Sequence, residues 1–396
     1  MVGSKTKSSP SDKGKRRKFS IFSVREGEID IVFLLLVLVL LVIGLLALFS
    51  ASFAFAYFNF GSSYAFIIPQ LRFAVVGVAA MLLMSTIDYR ILRPFAWPIF
   101  VVTFGLLLWS LTFPHEGARR WINLGFTTLQ PSEIAKFAVV VLCAHLSLKN
   151  EAYLSSKRVG VKKNIVRGIL PYMLVLVAFL VPMSMQPHLS GMILVFSIGL
   201  VMMLVGGVDI KWFVLAGILA AIGVVVIIST GLIGYAEGRI TSWLAPESDP
   251  LGVGFQILQS LYAIGSGGMM GVGVGASRQK YLYLPEPQND FIFAIVSEEV
   301  GFVGATIIIL LFALLIWRGF VIALRCKDRF GAMLAIGFIS QVGLQTILNI
   351  MVVTNTVPNT GISLPFFSYG GTALLMLLGQ MGLVLSISRK SMVEKK

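Results

Sequence analysis

The chain has 396 residues, 57% of them hydrophobic and only 13% charged, with a mean hydropathy of +0.89 and a formal net charge of +14. Soluble domains carry about a quarter charged residues, and here apolar runs recur down nearly the whole length, which excludes a soluble core. The positive charge does not point to nucleic acid, because most Lys and Arg lie in a tail and in alternate connections, as cytoplasmic retention and anionic lipid predict.

Residues 1–30 are polar and basic ("KTKSSPSDKGKRRK") and read as a disordered cytoplasmic tail. The next run, "IDIVFLLLVLVLLVIGLLALF", is long enough to cross a bilayer, which takes about 20 apolar residues. It is too long for a signal-peptide core, and no A-x-A cleavage site follows closely. Hydropathy predicts an all-α polytopic membrane protein of about ten spans: 31–57, 65–87, 92–113, 132–149, 165–185, 189–209, 212–234, 291–317, 331–353 and 365–387. A transmembrane domain of 31–390 would then end in a short cytoplasmic tail, 391–396.

The connections test this count. The tail, the connections holding Arg90, Arg93, Lys157, Arg158, Lys162, Lys163, Lys211, Arg325, Lys327 and Arg329, and the C-terminus "SRKSMVEKK" all fall on one side if there are ten spans. That side is the cytoplasm, and both termini belong to it. The opposite connections are nearly free of basic residues. Their exceptions are Arg119–Arg120 and a large extracellular loop, about 235–290, between helices 7 and 8. Charges kept against the topological rule point to function. Within the loop, "GFQILQSLYAIGSGG" repeats Phe255, Leu258, Leu261 and Tyr262 at helical spacing. It predicts a short amphipathic helix, lying on the membrane or packed on the protein.

Four constellations stand on the outer side. "GARRWINLG" (117–125) pairs two guanidiniums, which suit phosphate oxygens, with Trp121, which suits a headgroup level or a sugar face. "QPSEIAK" (130–136) opens the fourth span with Pro131 in the first turn. Its Glu133 and Lys136 share one helix face, as a functional or interhelical pair. "SRQKYLYLPEPQNDF" (277–291) brings Arg278, Lys280, Glu286 and Asp290 to the entrance of the eighth span. Two prolines stiffen the approach, and Asp290 is placed to serve as an N-cap. Glu298 would lie about 12 Å deeper and about 80° round, where it could share a cavity with Asp290, while Glu299 would pair with another helix. "VPNTGISLPFFSYGGT" (357–372), which contains Ser368, is irregular backbone at membrane depth and should line a cavity.

Other patterns carry less. "GVGVGA" (271–276) fits a dinucleotide fingerprint but follows no strand-rich segment, so close packing or a tight loop is the better reading. No Walker motif is present, and no nucleotide is expected. His115, His145 and His188 have no metal spacing, and Cys143 and Cys326 form neither a disulfide framework nor a zinc motif.

Taken together, "GARRWINLG", "QPSEIAK", "DPLGVGFQILQSLYAIGSGG", "LPEPQNDFIFAIVSEEVGFVG" and "LPFFSYGG" resemble one family, in order and from about residue 31 to 390. It is the shape, elongation, division and sporulation (SEDS) family of FtsW, RodA and SpoVE, and the wording is nearest the FtsW/SpoVE branch. The resemblance implies a peptidoglycan glycosyltransferase that polymerises lipid II outside the bacterial cytoplasmic membrane, for cell division or sporulation. Its expected partners are a class B penicillin-binding protein and other divisome or sporulation membrane proteins. The family's essential aspartate falls on Asp290, and other family polar positions fall on Trp121, Glu133, Lys136, Lys280 and Glu286. One departure is "QPHLSG", with His188 where the family commonly carries an acid.

The reaction inverts an anomeric centre, so it needs a base and stabilisation of the departing charge. Asp290 is the expected base. Arg119, Arg120, Lys136 and Lys280 are candidates for the pyrophosphates. Glu286 and Asp290 could ligate a divalent cation, Mg2+ or Mn2+. Two rival classes are a lipid II flippase and a non-catalytic scaffold for the transpeptidase. Polar clusters confined to the outer side disfavour the first, and costly buried charges disfavour the second.

Overall fold

The computed structural model describes residues 28–112, 120–123, 125, 128–154, 160–186, 188–215, 217–218, 243–248, 250, 252 and 254–391. Ten long helices dominate: α1 (Ile31–Phe60), α2 (Ile67–Thr86), α3 (Leu92–Ser110), α4 (Pro131–Lys149), α5 (Leu170–Met185, entered through a π-turn at Asn164–Ile169), α6 (Leu189–Gly206), α7 (Phe255–Gly267), α8 (Ile292–Arg325), α9 (Arg329–Val353) and α10 (Gly371–Ser391). All but α7 are long and apolar enough to cross a membrane, and they match nine of the expected spans. The remaining one, 212–234, lies mostly outside the described residues, as do the basic tail and Arg119.

Apolar sequence makes these helices, and local chemistry sets their ends. Asp30 caps α1 by accepting from the Phe33 N–H at 3.0 Å, and Gly61 ends it in the left-handed region at φ 69°. Pro131 starts α4, as expected for a residue without an N–H. A helix that is apolar all round does not announce its buried face, so packing decides. Buried residues make up 72% of the apolar stretch of α4 and 67% of those of α9 and α10, against 22% for α2. α4, α9 and α10 therefore form the centre. α2 packs on α10 through small residues: a Cβ on Gly77 would lie 2.5 Å from Leu378, and one on Gly382 would lie 2.4 Å from the Met81 carbonyl.

The entrance of α8 differs from the sequence expectation. Asp290 does not cap it: the helix begins at Ile292, and Phe291 holds the cap position without a side-chain bond. The helix is also broken at Gly301, with φ 67° and ψ −172°. The segment after α7 enters this break. Val272 and Gly273 donate to the carbonyls of Glu298 and Glu299, both at 3.0 Å, while Phe302 and Val303 donate to Gly268 and Met269 at 2.9 and 3.1 Å. In an unbroken helix Phe302 and Val303 would donate to Glu298 and Glu299 themselves. Each lost helical bond is thus replaced, which irregular backbone inside an apolar bundle requires. Only glycine fits on either side: a Cβ on Gly301 would lie 2.2 Å from the Gly271 nitrogen. The "GVGVGA" motif serves this threading.

α7 packs on the protein. Ile257, Leu258 and Ala263 are buried, and Ser260 donates to the Val353 carbonyl at 2.8 Å. Tyr262, expected on the apolar face, is exposed.

Candidate active site

The polar constellations converge at one end of the bundle, where α4, α6, α8 and α10 begin. A two-stranded hairpin, β1 (Ile122–Asn123) and β2 (Thr128–Leu129), leads into α4, and Thr372 at the start of α10 donates to the Thr128 carbonyl at 3.3 Å. Arg120 donates from Nε to the Gln186 carbonyl at 3.1 Å, which seats it over the α5–α6 junction. Trp121 is half-buried beside it.

At the head of α4, Lys136 and Glu133 form a 2.7 Å ion pair one turn apart. Lys136 is buried, and Glu133 faces a cavity whose walls include Gln341 and Gln345 of α9 and the 363–370 segment. His188 joins this group: its Nε2 lies 3.3 Å from the Gln130 amide nitrogen, and its Nδ1 is buried without a hydrogen-bond partner. Burial, with Arg120 and Lys136 nearby, lowers the His188 pKa to about 3, so the imidazole is neutral at physiological pH. The expected acid is thus replaced by an uncharged ring, and the local charge stays positive.

Asp290 stands across Ser368 from that cavity. It is half-buried, with Oδ2 at 3.5 Å from where a Cβ on Gly361 would be. Its carboxyl is raised to about 6, mainly by desolvation; its own backbone N–H opposes the shift and the Glu286 charge adds to it. Glu286 is exposed, at φ 44°, and accepts from the Asn289 side chain at 2.8 Å. Three consecutive carbonyls of this segment are each captured. The Tyr369 N–H donates to Gln288 at 2.9 Å, the Ser368 hydroxyl to Asn289 at 2.6 Å, and the Asn349 amide to Asp290 at 2.6 Å.

Three expected substrate contacts have partners within the protein. The Lys280 ammonium, expected near pyrophosphate, is buried and donates to Glu299, Ser50 and the Gly275 carbonyl at 3.1, 3.1 and 2.5 Å. These three acceptors use all of its protons. Glu298, expected to share the Asp290 cavity, turns to the loop instead: it accepts from the Ser277 hydroxyl and from the N–H groups of Arg278 at 3.0 Å and Gln279 at 3.4 Å. Together Glu298 and Glu299 lock the threaded segment onto α8. Ser368 borders the cavity, but its hydroxyl accepts from the Leu364 N–H at 2.8 Å while donating to Asn289, so it is spent on the backbone. Asn349, Gln341 and Gln345 are absent from the sequence reading. Their signal was an amide inside an apolar span, a polar residue where polarity is costly.

Among the described residues no group of three or more His, Cys, Asp or Glu side chains is arranged to hold a metal. What the site offers is a half-buried carboxylate of raised pKa on one side and a cationic cluster with a neutral histidine on the other.

Comparison with known proteins agrees with this architecture. A family model described as "Cell cycle protein", for FtsW, RodA and SpoVE, matches residues 30–393. Stage V sporulation protein E of Bacillus subtilis (strain 168) is 42% identical over 349 residues, covering 87% of this chain and 92% of the relative. A probable peptidoglycan glycosyltransferase FtsW of Geobacter sp. (strain M18) is 35% identical over 367 residues, covering 91% and 97%. A solved chain from work on the structural coordination of polymerization and crosslinking by a peptidoglycan synthase complex superposes with a TM-score of 0.74 at 26% identity, covering 92% of this chain and 99% of that one. On the extent of these matches, the chain is a multi-pass membrane protein that belongs to the FtsW/RodA/SpoVE family.

Proposed function

We propose that this chain is a peptidoglycan glycosyltransferase, polymerising lipid II into glycan strands at the outer face of the cytoplasmic membrane during division or sporulation. Relatives named as such enzymes and a sporulation protein support the reading. The observation that carries it is Asp290, a carboxylate raised to about 6 and half-buried at the mouth of the bundle. A general base works best when its pKa lies near the operating pH.

Asp290 takes the proton from the acceptor's GlcNAc 4-hydroxyl as that oxygen bonds to the donor's anomeric carbon. The bond to the pyrophosphate oxygen breaks on the opposite face, and the configuration inverts. Negative charge accumulates on the departing pyrophosphate. Arg120 over the α5–α6 junction and Lys136 at the head of α4 are the cationic groups that would favour that charge. Arg119 is a further candidate. Trp121 and Glu133 would contact the substrate near the cavity. If Mg2+ or Mn2+ takes part, Asp290 and Glu286 would hold it beside the pyrophosphate, and it would help neutralise the departing charge. The peptidoglycan synthase complex supports a penicillin-binding transpeptidase as partner, beside other membrane proteins of division or sporulation. The excess of Lys and Arg in alternate connections supports cytoplasmic termini.

The test is lipid II polymerisation by the purified protein, with and without its transpeptidase. Wild type should make strands, and D290A should make none while remaining folded. Near-normal synthesis by D290A would remove Asp290 from the mechanism. Translocation of labelled lipid II without polymerisation would replace the enzyme reading with the transporter one.

A further inference from the structure

The Asp290 carboxylate needs a fixed direction as well as a suitable pKa, because a base must meet the hydroxyl proton within hydrogen-bond reach. Nothing in its own helix supplies that direction: Asp290 precedes α8 and caps nothing. Its backbone is held from outside. Asn349 of α9 is fully buried, and its amide nitrogen is shared between the Asp290 carbonyl at 2.6 Å and the Ile362 carbonyl at 2.7 Å. One side chain therefore ties the Asp290 segment to the strand-like stretch that sets Gly361 against the carboxylate. Ser368 holds the preceding carbonyl and is itself braced. Gln70 of α2 donates to the Ser368 carbonyl at 3.3 Å and accepts from the Gly370 N–H at 3.1 Å.

Building on the proposed role of Asp290 as base, we propose that Asn349 and Ser368 are positioning residues for this reaction: they aim the Asp290 carboxylate by capturing its backbone and do not themselves touch substrate. The Asn349 amide nitrogen and the Ser368 hydroxyl both donate to main-chain oxygens. Removing either frees the segment to shift and lets water reach the carboxylate. A displacement of about 1 Å can cost about 100-fold in rate.

The experiment compares wild type, D290A, N349A, S368A and S368T, each as the full chain with its transpeptidase. It measures lipid II polymerisation as kcat and KM, and thermal melting as a check on folding. N349A and S368A should lose about 10- to 100-fold in kcat with KM within about twofold. S368T, which keeps the hydroxyl, should recover most of the rate lost in S368A. Unchanged kcat in folded N349A and S368A overturns the proposal. So does a loss in S368A with no recovery in S368T, the pattern of a merely structural role. If N349A does not fold, the S368A and S368T pair decides alone. Failure of the underlying reading looks different: either wild type makes no strands, or D290A makes them.

Discussion

Asp290 illustrates how neighbours set the working range of a side chain. Desolvation and the Glu286 charge both favour its protonated form, and the carboxyl rises to about 6. A base must be deprotonated, so kcat/KM should fall as pH drops through about 6 and not only near 4, where an ordinary carboxylate titrates. Replacing Glu286 with Gln removes the repulsive charge. Asp290 then loses its proton more easily, and the acidic limb of E286Q should sit at lower pH than that of wild type. A steady-state pH profile decides, and a limb in E286Q at or above the wild-type position would contradict the electrostatic account. At this scale the sequence was partly legible. Asp290 and Glu286 announced themselves as acids where a helix enters a membrane. Lys280 and Glu298 announced themselves equally loudly and turned out to hold the loop. A charge in an apolar segment signals a partner, but sequence does not say whether the partner is a substrate, a carboxylate or a backbone N–H.

α8 shows what hydropathy conceals. The run 291–317 reads as one span because glycine is nearly neutral on such scales, so Gly301 leaves no mark. The segment 268–273 takes up the bonds that the break leaves open. Two glutamates side by side were the hint, since neighbouring residues of a helix point about 100° apart and buried acids there need two separate sets of donors. The loop supplies one set to Glu298, and Lys280 with Ser50 supplies the other to Glu299. Gly301→Ala tests the arrangement. The residue holds φ 67°, which costs a non-glycine residue about 1–3 kcal/mol, and its Cβ would lie 2.2 Å from the Gly271 nitrogen. G301A should lose at least about 2 kcal/mol of stability, with hydrogen exchange rising first in the 268–273 segment. Wild-type melting with unchanged exchange would mean that the threaded segment does not brace α8.

Across the whole molecule the two ends have different jobs. One gathers the hairpin, the 270–290 loop and the 357–370 segment around Asp290. The other carries basic connections, tied by exposed pairs such as Arg90–Asp328 at 3.6 Å, which contribute little. A stronger tie joins α1 to α8. Arg318, 1% exposed, donates from Nε to one Asp30 oxygen at 3.0 Å, and its Nη2 forms an ion pair with the other at 2.7 Å. The Asp30 N–H in turn reaches Ser388 of α10 at 3.0 Å. The sequence placed the Asp30 and Arg318 positions at opposite ends of the chain, 288 residues apart, so only the fold reveals the pairing. Breaking one partner of a buried pair leaves an uncompensated charge and costs about 3–5 kcal/mol, whereas neutralising both costs much less. R318M should therefore melt well below wild type in detergent, and D30N/R318M should recover part of that loss. The pair lies one helix length from the Asp290 segment, near the other end of α8, so the R318M molecules that remain folded should keep the wild-type KM for lipid II. A shifted KM would show that the two ends are coupled, and equal melting of R318M and wild type would show that the tie carries no stability.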